Sequence, residues 1–208
     1  MAFVAALTCA NLSAGVITLD LRDPAGSAGE AFEAGNSFTV SGVTFSVAAS
    51  TSWGTATGSY SGNSSTAGVN SDGVGDEPSR LDVGETLTFT LTFDDAALMV
   101  ELENIDFSLV GGTADQAALV TTTAGSFTLF TGAADFNGTT NVWSPAGITF
   151  STGDAMVIQA SGSDNVVALQ AMSFDVASIA VPEPAAFVVL FCLTACVAGF
   201  RCRRRRKI

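Results

Sequence analysis

The chain has 208 residues with 20 acidic and 8 basic side chains, a formal net charge of -12. Six of the basic residues stand between Arg201 and Lys207, so residues 15–182 hold 2 basic against 19 acidic side chains, about -17; such a surface repels phosphate backbones and excludes nucleic acid as a partner. There is no histidine, and Lys207 is the only lysine, which excludes Ser-His-Asp and Cys-His catalysis, Schiff-base chemistry and ordinary zinc sites.

In chain order, residues 1–15 come first. Met1 to Ala10 is apolar and short, and small residues near Ala14 and Gly15 suit a signal-peptidase site. The segment lacks the usual opening Lys or Arg, so we expect a signal peptide truncated at its start. Cys9 fits a lipobox poorly after Ala6-Leu7-Thr8.

Residues 16–180 read as one domain. Its dominant pattern is alternation. In Glu85–Phe93, Leu87, Phe89, Leu91 and Phe93 fall on one side and Thr86, Thr88, Thr90 and Thr92 on the other, as in a half-buried antiparallel strand. Similar stretches at 16–21, 37–47, 99–103, 105–110, 118–122, 126–131, 148–151, 156–160 and 166–178 predict further strands. Gly, Asn, Asp and Ser separate them, as in Gly111-Gly112 and Asn137-Gly138. Residues 24–36 and 50–76 read as loops, the second with room for an irregular strand near 58–61. Strands at this spacing predict an all-β antiparallel β-sandwich, most simply a jelly roll. No cysteine lies between Gly15 and Pro182, so the domain relies on its core, to which phenylalanines contribute, 11 of the chain's 15 lying in residues 16–180.

Two groups in this domain carry possible chemistry. Asp72, Asp76, Glu77, Asp82 and Glu85 place five carboxylates in a glycine-bearing stretch with Arg80 as counter-charge. Calcium takes six to eight oxygen ligands from such loops, although the EF-hand spacing is absent. The stretch reads either as a Ca²⁺ site or as a solvated acidic turn. Trp53, Tyr60 and Trp143 are the other group: loop aromatics stack on the apolar faces of sugars, and equally they cap a core. Asp94-Asp95 reads as a turn; a glycosidase needs two carboxylates at a set separation, which sequence does not show. We expect no catalytic residue.

The chain closes on Val181-Pro182-Glu183-Pro184, the uncharged stretch Ala185 to Phe200, and Arg201, Arg203, Arg204, Arg205, Arg206 and Lys207. As a helix, Ala185 to Phe200 reaches about 24 Å, and snorkelling arginines extend that across a bilayer. The basic cluster would then be cytoplasmic. This ordered set resembles a PEP-CTERM sorting signal over residues 181–208. The glycine-and-acid stretch 72–85 is also similar to one found before a core strand in exported PEP-CTERM proteins.

The resemblance implies an exported bacterial protein, anchored in the inner membrane and then processed near Pro182, Glu183 and Pro184 by an exosortase, a membrane cysteine protease. It also implies a cell-surface or matrix setting among extracellular polysaccharide and biofilm. Three functions follow as expectations: a structural or adhesive matrix protein, a carbohydrate-binding module, and, weakest, a carboxylate-dependent hydrolase.

Overall fold

The computed structural model describes residues 15–52, 58–70, 79–95, 98–111, 116–162 and 167–178. The elements run β1 (Gly15–Asp20), α1 (Ala28–Glu33), β2 (Phe38–Val40), β3 (Val43–Thr51), β4 (Ser59–Gly62), β5 (Ala67–Asn70), β6 (Glu85–Thr92) and β7 (Leu98–Leu109). They continue with β8 (Gln116–Thr122), β9 (Gly125–Leu129), β10 (Phe136–Asn137), β11 (Val142–Trp143), β12 (Thr149–Phe150), β13 (Ala155–Gly162) and β14 (Ala168–Ser178).

Among the described residues the strands form two antiparallel sheets, neither closed into a barrel. One has the order β10-β11-β7-β14-β5-β4, with β1 also paired to β14 and β12 to β7; the other runs β2-β3-β6-β13-β8-β9. The alternation in β6 translates directly into burial: Leu87, Phe89 and Leu91 are fully buried, and the intervening threonines are not. The inward residues of both sheets join one core. Across it, Phe45 of β3 meets Phe174 of β14 at 5.1 Å between ring centroids, and Phe127 of β9 meets Trp143 of β11 at 5.0 Å.

Several boundaries differ from the sequence expectation. The stretch 37–47 is two strands, because Ser41 and Gly42 both take positive φ (51° and 78°). That is the backbone of a two-residue primed hairpin turn. Conversely, 99–103 and 105–110 are one strand, β7. The inward residues switch parity between Leu102 and Ile105 because the register with β14 jumps from Leu102↔Phe174 to Asn104↔Ser173. One extra residue, Glu103, forms a bulge there. Residues 50–76 are no single loop, since β4 and β5 pair within them. Their turn is held by Asn63, whose Oδ1 accepts the N–H groups of Ser65 and Thr66 at 2.7 and 2.9 Å. Residues 24–36 contain α1, capped by Ser27.

Candidate functional site

Of the expected aromatic platform, Trp53 lies outside the described residues. Tyr60 and Trp143 are corrected: they are 7% and 2% exposed. Tyr60 points inward from β4, stands edge-on to Phe32, and donates its hydroxyl to the carbonyl of Leu21. Trp143 lies against Phe127. Both rings fill the core because they occupy inward positions of short strands, and neither offers a face to a sugar.

Of the expected calcium carboxylates, Asp72, Asp76 and Glu77 lie outside the described residues. Asp82 and Glu85 close a turn reciprocally: the Asp82 N–H donates to Glu85 Oε2 at 2.9 Å, and the Glu85 N–H donates to the Asp82 carbonyl at 3.0 Å. Gly84 provides the positive φ of 92° between them. Glu85 is fully buried, so this carboxylate faces the protein rather than the solvent. Among the described residues, no three acidic or cysteine side chains are grouped to hold a metal ion. The sorting residues Pro182, Glu183 and Pro184, the stretch Ala185 to Phe200 and the cluster Arg201 to Lys207 also lie outside the described residues, as does the segment 1–14. Among the residues described, no helix is long and apolar enough to cross a membrane.

The structure brings together a different set. The β10–β11 hairpin carries an open groove of about 570 Å³ lined by Asp135, Phe136, Asn137, Thr140, Val142 and Ser144. Asn137 builds the hairpin turn, its Oδ1 accepting the N–H groups of Thr139 and Thr140 at 3.0 and 3.3 Å. Asp135 and Asn141 bracket the hairpin with positive φ of 60° and 55°, a conformation that Asp and Asn tolerate better than other side chains. The Ser144 N–H donates to the Asp135 carbonyl at 3.1 Å and fixes the mouth of the groove. Val142 stands opposite Asp106 of β7.

The lining offers one carboxylate, an amide, two hydroxyls and an apolar floor. Four of the six lining residues are polar, and the groove is wide open to solvent. Asn137-Gly138 marked the turn in the sequence; convergence of Asp135 and Ser144 depends on the hairpin pairing and had no sequence signal.

Nearby charge is organised by Arg22. Its Nε and Nη2 donate to the two oxygens of Asp20 at 2.8 Å each. The arginine's side-chain hydrogen bond holds the Asp20 carboxyl below the usual range. Burial pushes the Asp106 carboxyl up, against the opposing pull of Arg22.

Fold and groove together define an all-β protein of two antiparallel sheets with a polar surface groove. No known protein family, curated protein or solved structure matches the chain.

Proposed function

We propose that this chain is an exported surface or matrix protein, sorted by its 181–208 tail, whose domain acts structurally or adhesively among extracellular polysaccharide. The observation that carries the reading is the ordered set of Val181-Pro182-Glu183-Pro184, the uncharged stretch Ala185 to Phe200 and the basic cluster, joined to an acidic domain free of cysteine. An exosortase is the partner, and the inner membrane is the station before processing. The two sheets are read as a jelly-roll β-sandwich. Support comes from the way the chain passes between sheets at β6, β7, β8 and again at β12, β13, β14. No catalytic residue is assigned, and Ca²⁺ is the cation whose chemistry suits the acidic stretch through Asp72, Asp76 and Glu77, Glu85 being buried in its own turn.

Mass spectrometry of the protein taken from its native cell envelope tests the reading. Loss of everything after about Pro182 is the expected result. A C-terminus still at Ile208 would replace sorting by a permanent anchor.

A second reading, a carbohydrate-binding module, is favoured by the hairpin groove, whose carboxylate, amide and hydroxyls suit sugar hydroxyls. Titration of the full chain with neutral oligosaccharides tests it, with Asp135→Ala expected to weaken binding.

A further inference from the structure

Among the described residues, the outward face of the six-stranded sheet is uncharged, although the domain around it carries about -17. The strand registers place its side chains in cross-strand rows. Ala48, Thr88, Val157, Thr121 and Ser126 make one row; Ser50, Thr86, Gln159, Leu119 and Thr128 make the next. Toward the other end, Ser46 pairs with Thr90 and Thr44 with Thr92. No charged side chain stands in these rows. The hydroxyls align with one another: Thr39 with Thr44 at 2.9 Å, and Thr121 with Ser126 at 3.0 Å. Neighbouring positions repeat at about 4.8 Å between strands and about 6.8 Å along each strand.

This departs from how exposed sheets are usually built, since charges normally interrupt such faces and prevent unwanted association. The opposite sheet shows the usual design, with Asp20, Asp106, Glu101 and Asp175 on its outward side. The chain has ample acidic residues, and none falls on the threonine rows.

We propose that this face is the docking surface for a neutral polysaccharide. The proposal rests on the polysaccharide setting of the reading above and names the polymer class and the surface. Each threonine presents a methyl and a hydroxyl side by side, and a pyranose ring presents C–H groups beside hydroxyls, so the two surfaces match in kind. The match is electrically neutral and requires no buried charge. An anionic polymer, such as a polyuronate, is repelled by the rest of the domain. With Tyr60 and Trp143 in the core, neither ring stacks on a sugar, and adhesion works through many weak contacts on this face.

Affinity electrophoresis of the full chain in non-ionic detergent tests the proposal, using gels containing a neutral β-glucan, a neutral α-glucan or alginate, each compared with a polymer-free gel. Retardation in at least one neutral glucan and none in alginate is expected. Thr88→Glu in the sheet centre and Thr128→Glu on its edge strand should each weaken retention about tenfold or more, because a carboxylate must be desolvated against the polymer. Thr18→Glu, on the opposite sheet, should leave retention unchanged. Melting curves establish that each variant is folded, and Thr128→Glu, at an exposed edge position, serves if the central variant is not.

Retention that survives both face variants but is lost in Asp135→Ala would move binding to the hairpin groove, overturning the face while keeping the polysaccharide reading. Absence of retardation in both neutral gels would overturn both. A concentration-dependent dimer abolished by Thr88→Glu, without glucan retention, would assign the face to a second copy and also overturn the proposal.

Discussion

The hydroxyl of Tyr60, on β4, donates to the carbonyl of Leu21, just past the end of β1. The two residues are 39 apart in sequence, and β1 and β4 do not pair with each other. This bond ties the entry of α1 to the β4–β5 hairpin, since Phe32 of α1 lies edge-on to the same ring at 5.6 Å. Tyr60→Phe keeps the ring and leaves a buried carbonyl without the phenol. A loss of about 1–3 kcal/mol is expected, read as a lower urea midpoint at unchanged slope.

Tyr60 is the only tyrosine in the chain, so its ionisation can be followed alone. Burial, with Glu33, Asp20 and Asp23 nearby, pushes the phenol far above its ordinary value. A group whose folded pKa is raised contributes stability that is fully present below the unfolded value, about 10, and is lost as pH rises beyond it. We therefore expect phenolate absorbance to appear only together with unfolding, and stability to fall with pH from about 10 upward. Phenolate formation near the ordinary value, with circular dichroism still native, would contradict the buried placement of this ring.

Ser27 caps α1 by accepting the N–H of Glu30 at 3.0 Å, and its own hydroxyl donates to the Arg22 carbonyl at 2.9 Å. Glu30 reaches back to the N–H of Gly26. Ser27→Ala should cost about 1 kcal/mol, measurable as a lower melting temperature. The Ser27-x-x-Glu30 capping pattern was legible in the sequence, yet residues 24–36 read as a loop. Six residues are too few to show a helical period, and the one large apolar side chain that anchors the helix, Phe32, has its partners Tyr60 and Phe89 far away in sequence. By contrast, β6 was fully legible because Leu87, Phe89 and Leu91 alternate without interruption. The hairpin groove was not, because Asp135 and Ser144 converge only after β10 and β11 pair.

Gly29 sits inside α1, where alanine would ordinarily stabilise a helix by about 1 kcal/mol. Here the sign reverses. A Cβ at this position would collide with the backbone carbonyl oxygens of Leu21 and Arg22. Backbone atoms in a segment joined to β1 yield less readily than a flexible side chain. Gly29→Ala should therefore destabilise by about 2 kcal/mol or more, and the double variant Gly29→Ala, Ser27→Ala should fall short of additivity because both act on docking of the same helix.

Asp20 and Asp106 titrate in opposite senses around Arg22. Asp20 has a lowered folded pKa, so its contribution is present above the ordinary value of about 4 and is lost as pH falls through the folded value. Asp106 has a raised folded pKa, so its ionisation costs stability as pH rises through that region. Asp106→Asn should thus slightly stabilise the protein at neutral pH, with the gain disappearing below about pH 4. Arg22→Ala removes the same cation from both carboxyls: Asp20 moves up toward its ordinary value and Asp106 moves up further. Carboxyl-resolved NMR titration of the wild type and Arg22→Ala reads both shifts; a carboxyl that stays in place or moves down in Arg22→Ala would show that Arg22 does not govern it.

Trp143 separates a core role from a ligand-stacking role by the kind of loss its removal produces. The ring is 2% exposed, lies 5.0 Å from Phe127 across the sheets, and sits on β11 opposite Phe136 and Ile105. Truncation removes contacts on both sheets at once and leaves a cavity that a two-residue strand can only partly close. Trp143→Ala should destabilise by about 3–5 kcal/mol, and Trp143→Phe, which retains much of the ring, should cost less. A surface platform would behave differently: truncation would leave the melting temperature nearly unchanged and affect only sugar binding. Val142, the preceding residue, lines the groove. Because side chains alternate along a strand, Trp143 supports the groove from behind. Any change in ligand affinity on Trp143→Phe should therefore follow the change in stability across a series of core variants, including Phe127→Leu.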